Sequence, residues 1–197
     1  MITVLRHGRT ASNASGLLLG RLDPPLDEVG EAQAAALAAS VSGVDVVVCS
    51  PLLRTRQTAA AFGMEVVVDD RLIELDYGEW DGRPLTDVSA QDWQEWRASI
   101  DFAPPGGESL ASLGGRVRDC CDDWSERARA EHVVFVTHVS PIKACVGWAL
   151  GVDDAVSWRL FVAPGSISRI AIGPFGPSLH GFNDVPRPAG DPLIPDS

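Results

Sequence analysis

The residues best suited to chemistry stand where apolar runs stop. Arg6 and His7 follow Ile2-Thr3-Val4-Leu5, Ser50 follows Val46-Val47-Val48-Cys49 with Arg54 and Arg56 close behind, and Thr137-His138 follows Val133-Val134-Phe135-Val136. A buried strand gains nothing from ending in cations that flank an imidazole and a glycine. Two histidines among arginines suit phosphoryl transfer: a neutral imidazole attacks phosphorus and carries the group as a phosphohistidine, splitting one hard displacement into two. Guanidinium forks match phosphoryl oxygens bidentately and stabilise the charge spread over them. The leaving alkoxide then needs a proton donor, and the water that hydrolyses the phosphohistidine needs a base. One carboxyl group can serve both in turn. Glu74, set among apolar neighbours in Leu72-Ile73-Glu74-Leu75-Asp76-Tyr77-Gly78, is the candidate. Singly, an Arg-His-Gly is a weak signal and a histidine ending a strand is more often structural; the joint placement carries the inference. His132 and His180 stand away from these strand ends and are read as structural.

These residues converge only if the elements between them build one sheet. Ile2 to Leu5 is too short for a helix and bounded by Gly8, so it reads as a buried strand. Alanine-rich Glu31 to Ser40, opened by Leu26-Asp27-Glu28-Val29-Gly30 with an acidic first turn, predicts a helix. Val44 to Cys49 is a second strand, Pro51 begins a helix to about Phe62, and Glu65 to Val68 is a third strand. Residues 76 to 107 are irregular and rich in tryptophan (Trp80, Trp93, Trp96), with a short helix around Ala90 to Ala98. From Ser109 to Ala130 the apolar positions Leu110, Leu113, Val117, Cys121 and Trp124 mark a long amphipathic helix. His132 to Thr137 is another strand and Pro141 to Leu150 another helix, while Leu160 to Val162 and Ser166 to Ile172 are expected to pair across Pro164-Gly165. Strands alternating with helices predict a parallel α/β sheet, whose ligands bind beyond the carboxyl ends of the strands. That edge is where the histidines and arginines fall.

A chain of 197 residues, 45% hydrophobic and 22% charged, suits a single domain with its own core, taken here as residues 1 to 185. The proline-rich tail from Pro186 to Ser197 has no periodicity and is expected to be disordered. Cys49, Cys120, Cys121 and Cys145 form no metal-ligand spacing and read as reduced, mostly buried thiols of a cytoplasmic protein. A first strand starting at Ile2 leaves no room for a signal peptide, and no apolar run reaches membrane-spanning length. A net charge of -11 repels nucleic-acid phosphates and anionic lipid, so neither is an expected partner, and clustered arginines gain meaning against that background.

With these residues in place, the chain resembles the histidine phosphatase superfamily, which holds cofactor-dependent phosphoglycerate mutases, broad-specificity phosphatases and α-ribazole phosphatase. The resemblance runs in order through Leu5-Arg6-His7-Gly8-Arg9-Thr10 with Asn13 and Gly20; Asp23-x-Pro25-Leu26 with Gly30 and Gln33; and Ser50-Pro51-Leu52-Leu53-Arg54-Thr55-Arg56-Gln57-Thr58-Ala59. It continues through Glu74-x-x-Tyr77-Gly78-x-Trp80-x-Gly82, Pro105-Gly106-Gly107-Glu108-Ser109 and Thr137-His138, covering about residues 1 to 172. It implies a three-layer α/β/α sandwich around a mostly parallel sheet. His7 matches the phosphorylated nucleophile, Glu74 the proton donor, and Arg6, Arg54 and His138 the residues that hold the phosphoryl group. Asn13, Gly20 and Val139 fall at positions expected to contact phosphate, whereas Arg56 falls at a variable position and is read as a helix-surface residue. The resemblance implies that no metal is needed, and no cofactor is expected for this chain.

The resemblance leaves phosphatase and mutase open. A mutase must hold a second anionic group, which takes cations on the far side of the pocket. Where mutases carry a polar residue before the equivalent of Gly20, this chain has Leu19 after Leu17 and Leu18, and between Tyr77 and Pro105 only Arg83 and Arg97 are basic. These features favour a phosphatase for a small phosphomonoester with an apolar or aromatic organic part. The segment Thr137-His138-Val139-Ser140-Pro141-Ile142-Lys143 looks most like the α-ribazole phosphatase branch. The alternatives are a cofactor-dependent phosphoglycerate mutase and a catalytically silent phosphate-binding member. The oligomeric state is left open.

Overall fold

The computed structural model describes residues 1–186; the expected disorder of the tail falls almost wholly outside the described residues. A six-stranded sheet runs in the order β3-β2-β4-β1-β5-β6, with β1 Ile2–Arg6, β2 Val46–Cys49, β3 Val66–Val68, β4 Val133–Thr137, β5 Ile167–Gly173 and β6 Gly176–Asp184. The first four are parallel, and β5 and β6 join antiparallel at one side. The sheet is therefore mixed but mostly parallel, as expected. The helices are α1 Ala11–Ala14, α2 Glu28–Ser40, α3 Leu53–Ala60, α4 Ala90–Ala98, α5 Leu110–Arg127 and α6 Val139–Leu150.

Strand alternation divides the core in two. Val46, Val48, Val133 and Phe135 face a cluster that includes Val117 and Cys121 of α5 and Ile142 and Cys145 of α6, while Val47, Cys49, Val134 and Val136 face Leu37 of α2 and Ala59 of α3. A strand buried on both sides must be apolar throughout, and Val133 to Val136 are. The three layers follow from this two-sided burial.

Parallel register places the chemistry. Arg6 lies opposite Thr137, the His7 amide donates to the Thr137 carbonyl at 3.0 Å, and the Ser50 amide donates to the Val136 carbonyl at 3.1 Å. Three strands thus end together. Just past β1 the chain closes on α2: a Cβ on Gly8 would stand 2.2 Å from the Gly30 carbonyl oxygen, so only glycine fits.

One expectation fails. Leu160 to Val162 forms no strand, and the hairpin is instead β5 with β6, turning at residues 174 and 175. The short apolar run at 160–162 resembles a strand, yet Phe161 is 72% exposed and the Val162 carbonyl is used by Arg6. Alternation in residues 176–184 is too interrupted by glycine and proline to reveal β6. Among the described residues no helix is long and apolar enough to cross a membrane.

Candidate active site

His7, at the end of β1, is almost fully buried, and its Nδ1 lies 2.6 Å from the Gly8 carbonyl oxygen. A carbonyl oxygen only accepts, so Nδ1 carries the hydrogen and the lone pair of the neutral ring is on Nε2. Burial, reinforced by Arg6 and Arg54, pushes the His7 pKa well below its usual 6.5. The ring is therefore neutral at neutral pH, with a fixed tautomer. His138 packs edge-on against it, ring centroids 5.1 Å apart.

His138 is the first residue before α6 and has no exposed surface. Arg54 Nε donates to its Nδ1 at 3.2 Å, and arginine has no lone pair to accept in return, so Nε2 carries the hydrogen and donates to Ser50 Oγ at 2.7 Å. Burial, then chiefly the charge of Arg54, pushes the His138 pKa well below 6.5, so this ring is neutral too.

Arg54 is wholly buried on α3. Its Nη1 donates to the Leu22 carbonyl at 2.7 Å and its Nη2 to the Gly20 carbonyl at 2.8 Å, which leaves one N–H on each for a ligand. Those carbonyls stay in place because the Asp81 carboxylate accepts from the Gly20, Arg21 and Leu22 amides at 2.8, 2.8 and 2.9 Å. Gly20 itself is packed tightly, since a Cβ there would meet the Leu75 carbonyl oxygen at 2.7 Å. Arg6 donates from Nη1 to the Val162 carbonyl at 2.7 Å, but its buried Nε has no partner among the described residues. Burial lowers its pKa to about 10, so it remains charged at neutral pH.

Glu74 is buried, but its carboxylate is not in the apolar setting its sequence neighbours suggest. Oε1 accepts from the Leu75 and Ser140 amides at 2.8 and 3.1 Å, and Oε2 accepts from the Val139 amide at 3.1 Å. Two of these donors are the first amides of α6, where an anion is favoured. Oε1 has both lone pairs filled while Oε2 keeps one, so Oε2 is the oxygen able to exchange a proton.

The remaining expected residues are placed less directly. Asn13 Oδ1 accepts from the Thr10 amide and hydroxyl at 3.1 and 3.0 Å in a capping box for α1, so the oxygen is committed to that turn. Gly20 offers its carbonyl to Arg54, and the Val139 amide is held by Glu74. Arg56 is exposed, and Arg9 is paired with Asp27 at 2.8 Å beside the start of α2. His132 bridges Thr3 and Ser42 at the far end of the strands, as its structural reading expected.

Two supporting residues have no signal in the sequence. Asp81 acts across some 60 residues on the loop that seats Arg54. Arg116 donates to the carbonyls of Arg71 and Glu74 while its Nε is held by Glu108 at 2.8 Å, tying the Pro-Gly-Gly-Glu segment to the backbone of Glu74. Among the described residues no group of three or more His, Cys, Asp or Glu is placed to hold a metal ion.

Comparison with known proteins identifies the family and agrees with the fold. The sequence model of the histidine phosphatase superfamily (branch 1) matches residues 2–185. A bifunctional protein of Mycobacterium tuberculosis is 35% identical over 177 residues, 85% of this chain and 49% of that protein. The chain thus spans about half the length of the first curated relatives it matches. Phosphoserine phosphatase 1 of Hydrogenobacter thermophilus is 36% identical over 169 residues, covering 80% of this chain and 79% of that one. Among solved structures, a putative alpha-ribazole-5'-P phosphatase from Escherichia coli superposes with a TM-score of 0.83 at 27% identity, over 94% of this chain and 96% of that one.

Proposed function

Since the chain belongs to the histidine phosphatase superfamily, we propose that it hydrolyses a small phosphomonoester through a phosphohistidine on His7. The observation that carries this reading is the His7 ring: neutral, with Nδ1–H spent on the Gly8 carbonyl, so that Nε2 holds a lone pair beside two buried guanidinium groups. The relative named as a phosphoserine phosphatase supports the same reaction type.

In the first step His7 Nε2 forms a bond to phosphorus as the ester P–O bond breaks. The electron pair leaves on the alcohol oxygen, which takes a proton from Oε2 of Glu74, protonated at the start of the cycle and again once water has given up its proton in the second step. Arg6 and Arg54 meet the equatorial oxygens, Arg6 through its unpartnered Nε–H and Arg54 through its two uncommitted N–H groups. His138 adds its Nε2–H when Ser50 gives it up. In the second step water gives its proton to Glu74, attacks phosphorus and releases inorganic phosphate, and His7 regains its lone pair.

The test is chemical trapping. The wild-type protein, quenched during turnover of a labelled phosphomonoester, is expected to carry an acid-labile, alkali-stable phosphoryl group, and His7→Ala to carry none and to lose at least about 10³-fold in turnover of p-nitrophenyl phosphate. Undiminished activity in His7→Ala would overturn the proposal. Fast interconversion of 3- and 2-phosphoglycerate with bisphosphoglycerate present, and no phosphate release, would assign the site to a mutase instead.

A further inference from the structure

Beside the catalytic cluster lies a small, partly open cavity of about 70 Å³, lined by Leu75, Tyr77, Trp96, Val139, Lys143 and Trp158 among others. Its inner wall is the same backbone that holds Glu74: Leu75 follows Glu74, and Val139 and Ser140 donate to its carboxylate. Glu74 itself does not line the cavity, but the Leu75, Val139 and Ser140 backbone that anchors its carboxylate does, so this is the space adjoining the proposed proton donor that could take the organic part of a substrate.

Three of its walls are aromatic, and they pack on one another. Trp96 is 3% exposed and packs edge-on to Tyr77 and Trp158, with ring centroids 5.9 and 5.1 Å away. The buried indole N–H groups of Trp96 and Trp158 have no acceptor among the described residues. One cation enters this wall. Lys143 follows Val139 by one turn of α6, which puts the two side chains on the same face with Cβ atoms about 5–6 Å apart. Burial lowers its basicity, with the attraction of Glu74 and repulsion by Arg6 acting at longer range, and among the described residues no carboxylate is hydrogen-bonded to it.

We infer that Lys143 is a specificity residue, and that the leaving group this cavity takes is an aromatic or apolar alcohol carrying an anionic group, such as a carboxylate, one helical turn from the ester oxygen. The aromatic walls take the carbon skeleton, and Lys143 takes the charge. A half-buried ammonium beside tryptophan and leucine gains when an anion joins it, whereas a neutral leaving group adds to its burial without pairing it. The inference rests on the phosphatase reading and narrows its substrate class.

Two esters that differ only in that charge test it: 4-(carboxymethyl)phenyl phosphate and its methyl ester, with kcat/KM measured from phosphate release. The wild-type protein is expected to prefer the carboxylate by about tenfold or more, the range of one charge-assisted hydrogen bond. Lys143→Met, which keeps the apolar stem, should erase the preference while leaving the methyl ester within about twofold, and Lys143→Arg should restore part of it. Equal losses on both esters would make Lys143 a counter-ion for Glu74 and overturn the inference, as would a preference that survives in Lys143→Met. Failure of the wild-type protein to release phosphate from either ester would instead bring down the phosphatase reading on which this one stands.

Discussion

At the scale of single residues, the site separates two jobs by hydrogen bonding. His7 has its tautomer set by one carbonyl, while Glu74 has three of its four lone-pair positions filled by backbone amides. The remaining position on Oε2 is the one the proposed proton transfer would use. Glu74→Gln is therefore expected to slow alkyl phosphates by about 10²-fold or more while aryl phosphates, whose leaving groups need little protonation, fall far less. Rates for a series of leaving groups check this, and equal losses across the series would mark Glu74 as a structural acceptor. The sequence identifies both residues by type and place, but it suggests an apolar setting for Glu74. The α6 amides that surround it lie some 65 residues away and enter only through tertiary packing.

At the scale of elements, β1, β2 and β4 deliver His7, Ser50 and His138, and one loop seats Arg54. That loop, residues 20–22, has no regular structure of its own and depends on the Asp81 carboxylate. Asp81→Ala leaves three amides without their acceptor, so unfolding free energy should fall by about 1–3 kcal/mol. With the Gly20 and Leu22 carbonyls loosened, Arg54 loses its seat, and turnover of p-nitrophenyl phosphate should drop by about 10- to 100-fold. Asp81→Asn, which keeps one accepting oxygen, should recover part of both. Urea unfolding together with kcat/KM for the three proteins measures this. A stability loss with full activity would show that Arg54 is held by α3 alone. The tryptophans belong to this scale as well: Trp80 and Trp96 are core residues, and it is Trp96 with Trp158 that lines the cavity. Trp158 lies in a segment whose residues carry no helical or strand periodicity.

Across the whole molecule, burying two neutral histidines makes stability depend on pH. Both have folded pKa values well below 6.5, so as pH falls through 6.5 the unfolded chain binds protons that the folded chain refuses. Stability is then lost toward acid, with a slope approaching about 2.7 kcal/mol per pH unit for two such groups. The carboxylates held low, with Asp69 at about 2 among them, act in the same direction but below the ordinary carboxylate range. Between pH 6.5 and 5 the histidines dominate. Urea unfolding at pH 7.5, 6 and 5 should show the decline, and His138→Asn should roughly halve its slope; an unchanged slope would place the acid sensitivity elsewhere.

The strands β1, β2 and β4, most of the helices and the convergence of His7, Arg6, Arg54, Glu74 and His138 are legible in the amino-acid sequence alone. Apolar runs that end in charged residues mark buried strands and their functional ends at once, and both signals are local. Parallel register then forces those ends together, so the constellation can be read from residue order. Contacts between segments far apart in the chain are settled only by the tertiary arrangement: the α6 amides around Glu74, the Asp81 clamp under Arg54, and the aromatic cavity with Lys143 at its wall. None leaves a periodic trace, because a carboxylate reaching a distant loop or an indole closing a cavity depends on how whole elements pack.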